Sequence, residues 1–521
     1  MSKIASTDSS ESRQRTHTHL RIQDLEEGSI EPKHSPGNLL SAGAESRRSR
    51  LSSSRLQELG QELGEAFKFQ ENKEELVKFW DQFTRKGKRN IGVLESLNAI
   101  FWSSWLNIFL FFIPVAWVSH FLHWNDTLTF SLCFFAIVPL ERLFDYGGEQ
   151  MAFYLGKELG DLVVVTLNNA VEATLAIILL KKCELILLKS TIIGVVILHL
   201  LLVPGTAFVI GGARIIQQDL HPHSTQLNHS LLTLGVLSLL IPASFFSAIS
   251  GALDVNNKAA VVTAVDDNTR HSFLQMSRGL AVLLLFVYLC SRIYLHNPPG
   301  DSNDLTRVTV SEAPEEFKEH VAHLRNDDPE VNQWVCMLML AICIAFMATT
   351  AEYLVESIDF VQKSHRIKVE WFGLILLPFV SFAADGTVAV VYFVRYMFRH
   401  IFHEPTPPTT LAKGEAIDLS IQFTLFWMPL LVLIGWWTDK PLSLLFETFE
   451  VAVLLGSCFL VNYVTADSKT NWAEGIAMVA FYLMIAVCSW FYPGQVEIKL
   501  LSTCNSVQAA IEEFAATGLV E

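Results

Sequence analysis

The chain has no excess of basic residues over acidic residues. Lys and Arg together number 38 against 53 Asp and Glu, which gives a formal net charge of −15 at pH 7. A strongly negative net charge opposes binding to the phosphate backbone of nucleic acids, and it attracts cations. The sequence therefore predicts no nucleic-acid partner.

Catalytic motifs and paired cysteines are also missing. The chain contains no HExxH, no GxSxG and no phosphate-binding loop, so the protein is not predicted to be an enzyme and no cofactor is implied. Its eight cysteines stand singly, without a CxxC pair, and mostly inside apolar runs, as Cys133 and Cys458 do. They are predicted to be small buried hydrophobic residues.

Apolar residues are abundant. They make up 51% of the chain, with 36 Phe and 12 Trp, and the mean hydropathy is +0.35. This composition predicts an all-α, polytopic protein integral to a lipid bilayer. We expect about eleven transmembrane helices, over residues 98–120, 128–145, 158–180, 186–212, 228–251, 273–295, 333–356, 369–396, 418–438, 442–464 and 472–492.

Polar stretches divide the chain into five predicted regions. They are a polar, largely disordered cytoplasmic region (1–97), a first membrane half (98–296), an acidic cytoplasmic linker (297–332), a second membrane half (333–492) and a C-terminal tail (493–521). The linker either raises the local cation concentration or is simply a soluble connection. A basic cluster at 85–89 predicts a cytoplasmic N-terminus, and an odd number of spans then puts the C-terminus across the membrane. Lys181 and Lys182 oppose this orientation.

An acidic motif occurs once in each membrane half. Glu172 lies in the middle of one apolar run, and residues 169–176 align with 382–389 so that Asp385 occupies the equivalent place. An ionisable group in the centre of a span is costly and usually marks an ion path, although a protonated Glu172 bonded to a neighbouring helix is the alternative. The repeat predicts one N-terminal helix followed by two inverted five-helix repeats, with an ion site between them.

These motifs resemble those of the vacuolar cation/proton exchangers, a branch of the calcium/cation antiporters. NNAVE at 168–172 is similar to the GNATE-like motif of the family, and SFAADG at 381–386 is similar to its GNAAEH motif. The likeness extends over roughly residues 100 to 495. Further similar stretches are GEQMA at 148–152, AEYLV at 351–355, WFGLILLP at 371–378, NYV at 462–464, DSK at 467–469 and NWAEG at 471–475.

The resemblance implies an exchanger whose carboxylates hold either a cation or protons. Glu172 and Asp385 are the expected metal-binding carboxylates, and Asn169, Ser420 and Gln422 are expected to complete the cation and proton site. Four residues are accessory candidates: Asn168, His199, Glu149 and Glu352.

The chain departs from the family at three places that bear on the site. Phe382 replaces the Asn beside the second acid, and Asp385 is one methylene shorter than the family's Glu. GVVILH at 194–199 has Val195 and Leu198 where the family has serines, and His199 where the family has Asn. A neutral imidazole suits Mn²⁺ or Zn²⁺ better than Ca²⁺, but His199 could equally accept a proton or donate a hydrogen bond between helices.

The favoured function is a cation/proton antiporter of a vacuole or other acidic organelle, exchanging Ca²⁺, or a related cation such as Mn²⁺, Na⁺ or K⁺, for protons. The alternative is a divergent exchanger that no longer transports and acts as a sensor or scaffold. The expected partners are the transported cation, protons and the lipid bilayer, and a homo-oligomer is left open.

Overall fold

The structure is a computed structural model of the 521-residue chain. It describes residues 79–80, 83–84, 91–155, 157–212, 218–219, 222–251, 265–296, 329–380, 382–383, 386–387, 391, 415–467 and 469–517. All of these lie within one compact unit, Leu76–Glu521. Most of the predicted N-terminal region (1–97) and almost all of the acidic linker (297–332) fall outside the described residues.

The described residues are almost entirely helical, which confirms the all-α class. In chain order the α-helices are α1 (Val93–Trp102), α2 (Phe112–Phe121), α3 (Asp126–Leu155), α4 (Lys157–Asn168), α5 (Ala170–Lys182), α6 (Leu185–Ile197), α7 (Val203–Gly212), α8 (Pro222–Gly251), α9 (Asp267–His296), α10 (Gln333–His365), α11 (Val369–Trp371), α12 (Glu415–Gln422), α13 (Met428–Trp437), α14 (Thr448–Val464), α15 (Trp472–Phe491), α16 (Val496–Leu501) and α17 (Val507–Thr517). A 3-10 helix (Trp105–Phe111) precedes α2, and two short strands, β1 (Gln218–Asp219) and β2 (Lys469–Thr470), pair antiparallel.

Every predicted span overlaps a helix, but the count of eleven crossings is not confirmed. Within the described residues, seven helices are long and apolar enough to cross a bilayer, and two bent helix pairs raise that number to nine. Val369–Val380 and Thr448–Val464 are shorter apolar helices. The number of complete crossings therefore stays a prediction.

The predicted first span (98–120) is not one straight helix. Val93–Trp102 and Trp105–Phe121 meet at 94°. The Asn107 amide donates to the carbonyls of Ile100 (2.9 Å) and Phe101 (3.2 Å), so it satisfies the last turn of α1, while Ser104 Oγ accepts from Leu106 N and caps the next helix. Hydropathy alone missed the bend because both arms are apolar.

Three π-helical segments occur among the described residues, at Leu198–Leu202 (π1), Phe372–Leu376 (π2) and Phe423–Trp427 (π3). A proline follows the last residue of each segment by two positions, at Pro204, Pro378 and Pro429. Proline has no N–H and its ring collides with the carbonyl four residues earlier. The widened π turn accommodates that collision, and such turns are frequent at functional sites.

Glycines bring the two repeats into close contact. A Cβ on Gly194 of α6 would lie 2.3 Å from the carbonyl oxygen of Leu374, and one on Gly373 would lie 2.7 Å from Ser190 Cβ. Each helix therefore presents a glycine to the other's backbone, as expected for tightly packed membrane helices. This crossing joins α6 of the first repeat to Val369–Val380 of the second.

The tenth predicted span (442–464) starts too early. The helix begins at Thr448, and the residues before it form an irregular but buried stretch. Buried irregular backbone is tolerated where other groups satisfy its polar atoms. Here Ser277 Oγ accepts from Leu444 N (2.8 Å), and the buried Lys189 Nζ donates to Leu445 O (2.9 Å), Ser443 Oγ (3.1 Å) and Ser502 Oγ (2.9 Å).

Replacing this buried lysine should destabilise the protein. Lys189→Met keeps an apolar chain of similar length but removes the donor from three buried oxygens, and each unsatisfied group costs about 1–3 kcal/mol. We expect a clearly lower thermal unfolding midpoint in detergent. Lys363→Met, at an exposed position near the end of α10, is the matched control and should leave the midpoint unchanged. Equal midpoints for both variants would contradict this role of Lys189.

A disulfide corrects the prediction that the cysteines are only small hydrophobic residues. Cys183, in the turn after α5, bonds to Cys504, 321 residues later. Of the remaining cysteines, Cys290 and Cys488 are exposed, whereas Cys133, Cys336, Cys343 and Cys458 are buried as predicted. In the predicted tail (493–521), the described residues contain α16 and α17, and the disulfide ties this segment to the first repeat.

Candidate cation-exchange site

The first candidate acid lies next to a break in its membrane helix. The apolar helix bends by 53° between Asn168 and Ala170, and Glu172 stands in the first turn of α5 with only 3% of its surface exposed. The N-terminus of a helix carries a partial positive charge that favours a carboxylate. The break therefore gives a buried acid an electrostatic setting in which the ionised form is tolerated.

Glu172 lines a small cavity between the two repeats. The cavity has room for about one water-sized sphere, about 10 Å³. The lining comes from both membrane halves: Ile137, Val171, Glu172, Leu175, Thr191, Val195, Met347, Leu354, Leu377 and Val380. Apart from Glu172 and Thr191 these side chains are apolar, so this conformation encloses the acid in a nearly dry space.

A hydrogen-bonded chain joins the repeats beside Glu172. Asn169 Nδ2 donates to Gln422 Oε1 (2.6 Å), and Gln422 Nε2 donates to Thr166 Oγ1 (3.1 Å). Asn169 is fully buried, and its Oδ1 has no hydrogen-bond partner among the described residues. Because Gln422 holds the amide nitrogen, Asn169 presents a fixed and unused oxygen, which is the kind of ligand that a hard cation needs.

His199 and Ser420 approach the same region. His199 lies in π1, is buried, and places Nε2 3.8 Å from Glu172 Oε1. Ser420 is fully buried and its Oγ contacts Val196 O (3.4 Å) and Ala416 O (3.2 Å), so it bridges α12 to α6. The structure thus brings His199 next to the acid, whereas Ser420 lies in the contact between repeats.

The other accessory candidates lie elsewhere. The side-chain amide nitrogen of Asn168 donates to Asp145 Oδ1 (3.3 Å) and to Val164 O (2.9 Å). Glu149 is exposed on α3. Glu352 is paired with Lys181 and Lys182 at 3.8 Å in an ion network at one end of the bundle.

The second candidate acid, Asp385, lies outside the described residues. Its neighbour Phe382 is described and is 9% exposed. The Phe382 ring lies where a Cβ on Gly386 would come within 2.7 Å of it. An aromatic side chain of the second motif therefore fills the space next to Gly386.

Two hydroxyl residues of this site were not predicted from the sequence. Thr191 lines the Glu172 cavity and donates to Leu187 O (2.7 Å), which leaves its oxygen lone pairs available, and Thr166 anchors Gln422. Both lie within apolar runs close to other polar residues, Thr191 directly after Ser190 and Thr166 two residues before Asn168. That was the available signal, but threonines that bond to their own helix are common in membranes and the signal is weak.

Two repeats that meet at a broken helix with a buried carboxylate and an oriented amide oxygen define a secondary transporter and not an enzyme. A model of the sodium/calcium exchanger protein family matches residues 125–295 and 335–491, and the chain belongs to that family.

The chain is also similar to two relatives and to one solved structure. A vacuolar calcium ion transporter of Cryptococcus neoformans is 31% identical, over 79% of this chain and 77% of the relative. A vacuolar calcium ion transporter of Schizosaccharomyces pombe is 30% identical, over 77% and 89% of the two chains. The solved structure of native YfkE shares the fold, with a TM-score of 0.53 and 20% identity over 74% of this chain and all of the other.

Proposed function

We propose that this chain is a cation/proton antiporter that moves Ca²⁺, or a related cation such as Mn²⁺, Na⁺ or K⁺, into a vacuole or another acidic organelle. Glu172 and Asp385 are its exchanging carboxylates. Ionised, they offer oxygen to the cation; protonated, they are neutral and release it. Asn169 and Ser420 supply further oxygens, and Gln422 orients Asn169.

The observation that carries this proposal is the fixed oxygen of Asn169 near the buried Glu172, at the contact between repeats. Asn169 precedes Glu172 by about one helical turn, and a buried acid paired with a cation, or with a proton, is more stable than the same acid left charged and alone. The printed names of the fungal relatives, vacuolar calcium ion transporters, support Ca²⁺ as cargo and a vacuole as compartment.

His199 bears on cation choice. Ca²⁺ takes about 6–8 oxygen ligands, and a nitrogen 3.8 Å from Glu172 Oε1 stands where the family has an amide. Imidazole favours transition metals, so Mn²⁺ belongs in any transport assay beside Ca²⁺.

The orientation that we propose has the Cys183–Cys504 end of the bundle in the lumen and the N-terminus in the cytosol. Disulfides form and persist in oxidising compartments, not in the cytosol. The two lysines that opposed this orientation are paired: Lys182 with Glu356, and both Lys181 and Lys182 with Glu352. Homo-oligomerisation stays a prediction.

The test is uptake into vesicles. Purified protein in sealed liposomes with an acidic interior should accumulate ⁴⁵Ca²⁺ or Mn²⁺ from outside, and collapse of the proton gradient by an ionophore should stop the uptake. Protein-free liposomes give the background. Background uptake for every cation, with folded protein, would leave only the sensor or scaffold function, which the replacement of an Asn by Phe382 within the second motif favours.

Gln422→Leu should weaken cation binding without stopping transport. The substitution keeps the volume but frees the Asn169 amide to rotate, and one hydrogen bond of about 1 kcal/mol corresponds to roughly fivefold in affinity. We expect the half-saturating cation concentration to rise by about that factor. Gln508→Leu, at an exposed position on α17, is the control. An unchanged half-saturation for Gln422→Leu would show that Asn169 needs no such orientation.

A further inference from the structure

Helix α1 stands at nearly a right angle to the span that follows it. Ten α-helical residues and seven 3-10 residues make up Trp105–Phe121, which at about 1.5 and 2.0 Å per residue reaches roughly 29 Å. The hydrocarbon core of a bilayer is about 30 Å thick. The span therefore needs no contribution from α1, and the 94° bend directs α1 along the membrane plane.

One face of α1 is apolar and exposed. Leu94, Leu97 and Phe101, at helical spacing, are 83%, 51% and 62% exposed. The same exposed surface continues onto the next helix, where Ile108 is 77% exposed and must face lipid if Trp105–Phe121 crosses the bilayer. Glu95 lies about 160° around the helix from Leu97, outside this face, and is charged and exposed.

The opposite side of α1 is fastened to the second repeat. The buried Ser96 Oγ accepts from the backbone N–H of Asn332 (2.9 Å), and Asn332 Nδ2 donates to Ile91 O (3.3 Å). Asn332 is also the N-cap of α10, because its Oδ1 accepts from Trp334 N. The residue that starts the second repeat thus holds α1 in place.

We propose that α1 is an in-plane anchor that lies in the surface of the bilayer and fastens the start of α10 to it. The occupant of the apolar face is the headgroup and acyl-chain boundary, into which such helices sink by about 5–10 Å. The basic cluster at residues 85–89, just before α1 in the sequence, adds attraction to anionic headgroups. This role does not depend on which ion the protein carries.

Spin-label depth measurements test the anchor. The full-length protein, with Cys290→Ser and Cys488→Ser to remove the exposed free thiols, is labelled singly at Leu94→Cys, Leu97→Cys, Phe101→Cys or Glu95→Cys in phosphatidylcholine and phosphatidylserine vesicles. Collisions with oxygen report lipid, and collisions with a water-soluble nickel chelate report water. We expect labels at 94, 97 and 101 to collide mainly with oxygen at one shallow depth, and the label at 95 to collide mainly with nickel.

Three results would contradict the proposal that α1 is an in-plane anchor. A depth that increases by about 10 Å from 94 to 101 would make α1 the start of a crossing helix. Equal nickel access at 97 and 95 would place the face in water. Loss of both collision signals, with dipolar broadening between identical labels, would mean that a second copy of the chain covers it.

The hydrogen bond between Ser96 and Asn332, which holds α1 to the start of α10, is tested separately. Ser96→Ala removes the acceptor for Asn332 N, so the label at 97 should become more mobile while it stays in lipid. Unchanged mobility would show that the Ser96 contact does not hold α1.

Discussion

Glu172→Gln should reduce proton-driven cation uptake to the background of protein-free vesicles. The amide has the shape of the protonated acid but cannot release a proton or bring negative charge to a cation, so one half of the exchange cycle is lost. The fold should persist, because the site already encloses this side chain at 3% exposure and a neutral amide costs less to bury than a carboxylate. We therefore expect an unfolding midpoint equal to or above that of the parent.

Two comparisons make this result specific. Glu512→Gln, the same change at an exposed position of α17, should transport normally. Asp385→Asn should fail as Glu172→Gln does, since the proposal assigns the two acids one task. Full transport by Glu172→Gln would remove the acid pair from the mechanism, whereas loss of transport together with a lower midpoint would indicate a structural role only.

Gly194→Ala should prevent stable folding. The added methyl would lie 2.3 Å from Leu374 O and 2.7 Å from Pro378 Cγ. The first obstacle is backbone and the second a proline ring, so neither can rotate away. The helices of the two repeats must separate instead, and overpacking of this kind typically costs about 1–3 kcal/mol, occasionally more. We expect a lower yield of monodisperse protein, a lower thermal midpoint and little exchange.

Gly279→Ala provides the matched control. Gly279 lies inside α9, and no atom lies within 4 Å of a Cβ placed there. Alanine stabilises helix interiors relative to glycine by roughly 0.5–1 kcal/mol, so this variant should be as stable as the parent or slightly more so. If Gly194→Ala matched Gly279→Ala in yield and midpoint, the close crossing of α6 and Val369–Val380 would be wrong.

Hydropathy located the helices well because burial in lipid requires long apolar runs, whatever their packing. Hydropathy did not predict the helix bend or the helix start that depend on hydrogen bonds from polar side chains. Asn107 satisfies the end of α1 and thereby fixes a sharp bend within an apolar stretch. Lys189 supplies a donor to the irregular residues before α14. Neither effect changes the average apolarity on which the prediction rested.

The site was predictable in part for the same reason. A carboxylate in the middle of a span is conspicuous in sequence, and Glu172 is buried as expected. The pairing of Asn169 with Gln422 joins residues 253 positions apart, and no local pattern encodes it. The disulfide was missed because single cysteines at a separation of 321 carry no spacing signal. His199 lies in a π turn, whose helical register differs from the one that the sequence alone suggests, so its proximity to Glu172 was not predictable from helical spacing.

The disulfide also bears on how the protein is made. Cys183 is synthesised early, in the turn after α5, whereas Cys504 follows α15, the last long apolar helix among the described residues. The bond can close only when both cysteines have reached the same side of the membrane, after the intervening helices have been inserted with the correct alternation. A chain with one helix left out would present its two thiols to opposite compartments. Formation of this bond therefore reports completed assembly, and a cell could use its absence to recognise a misassembled exchanger.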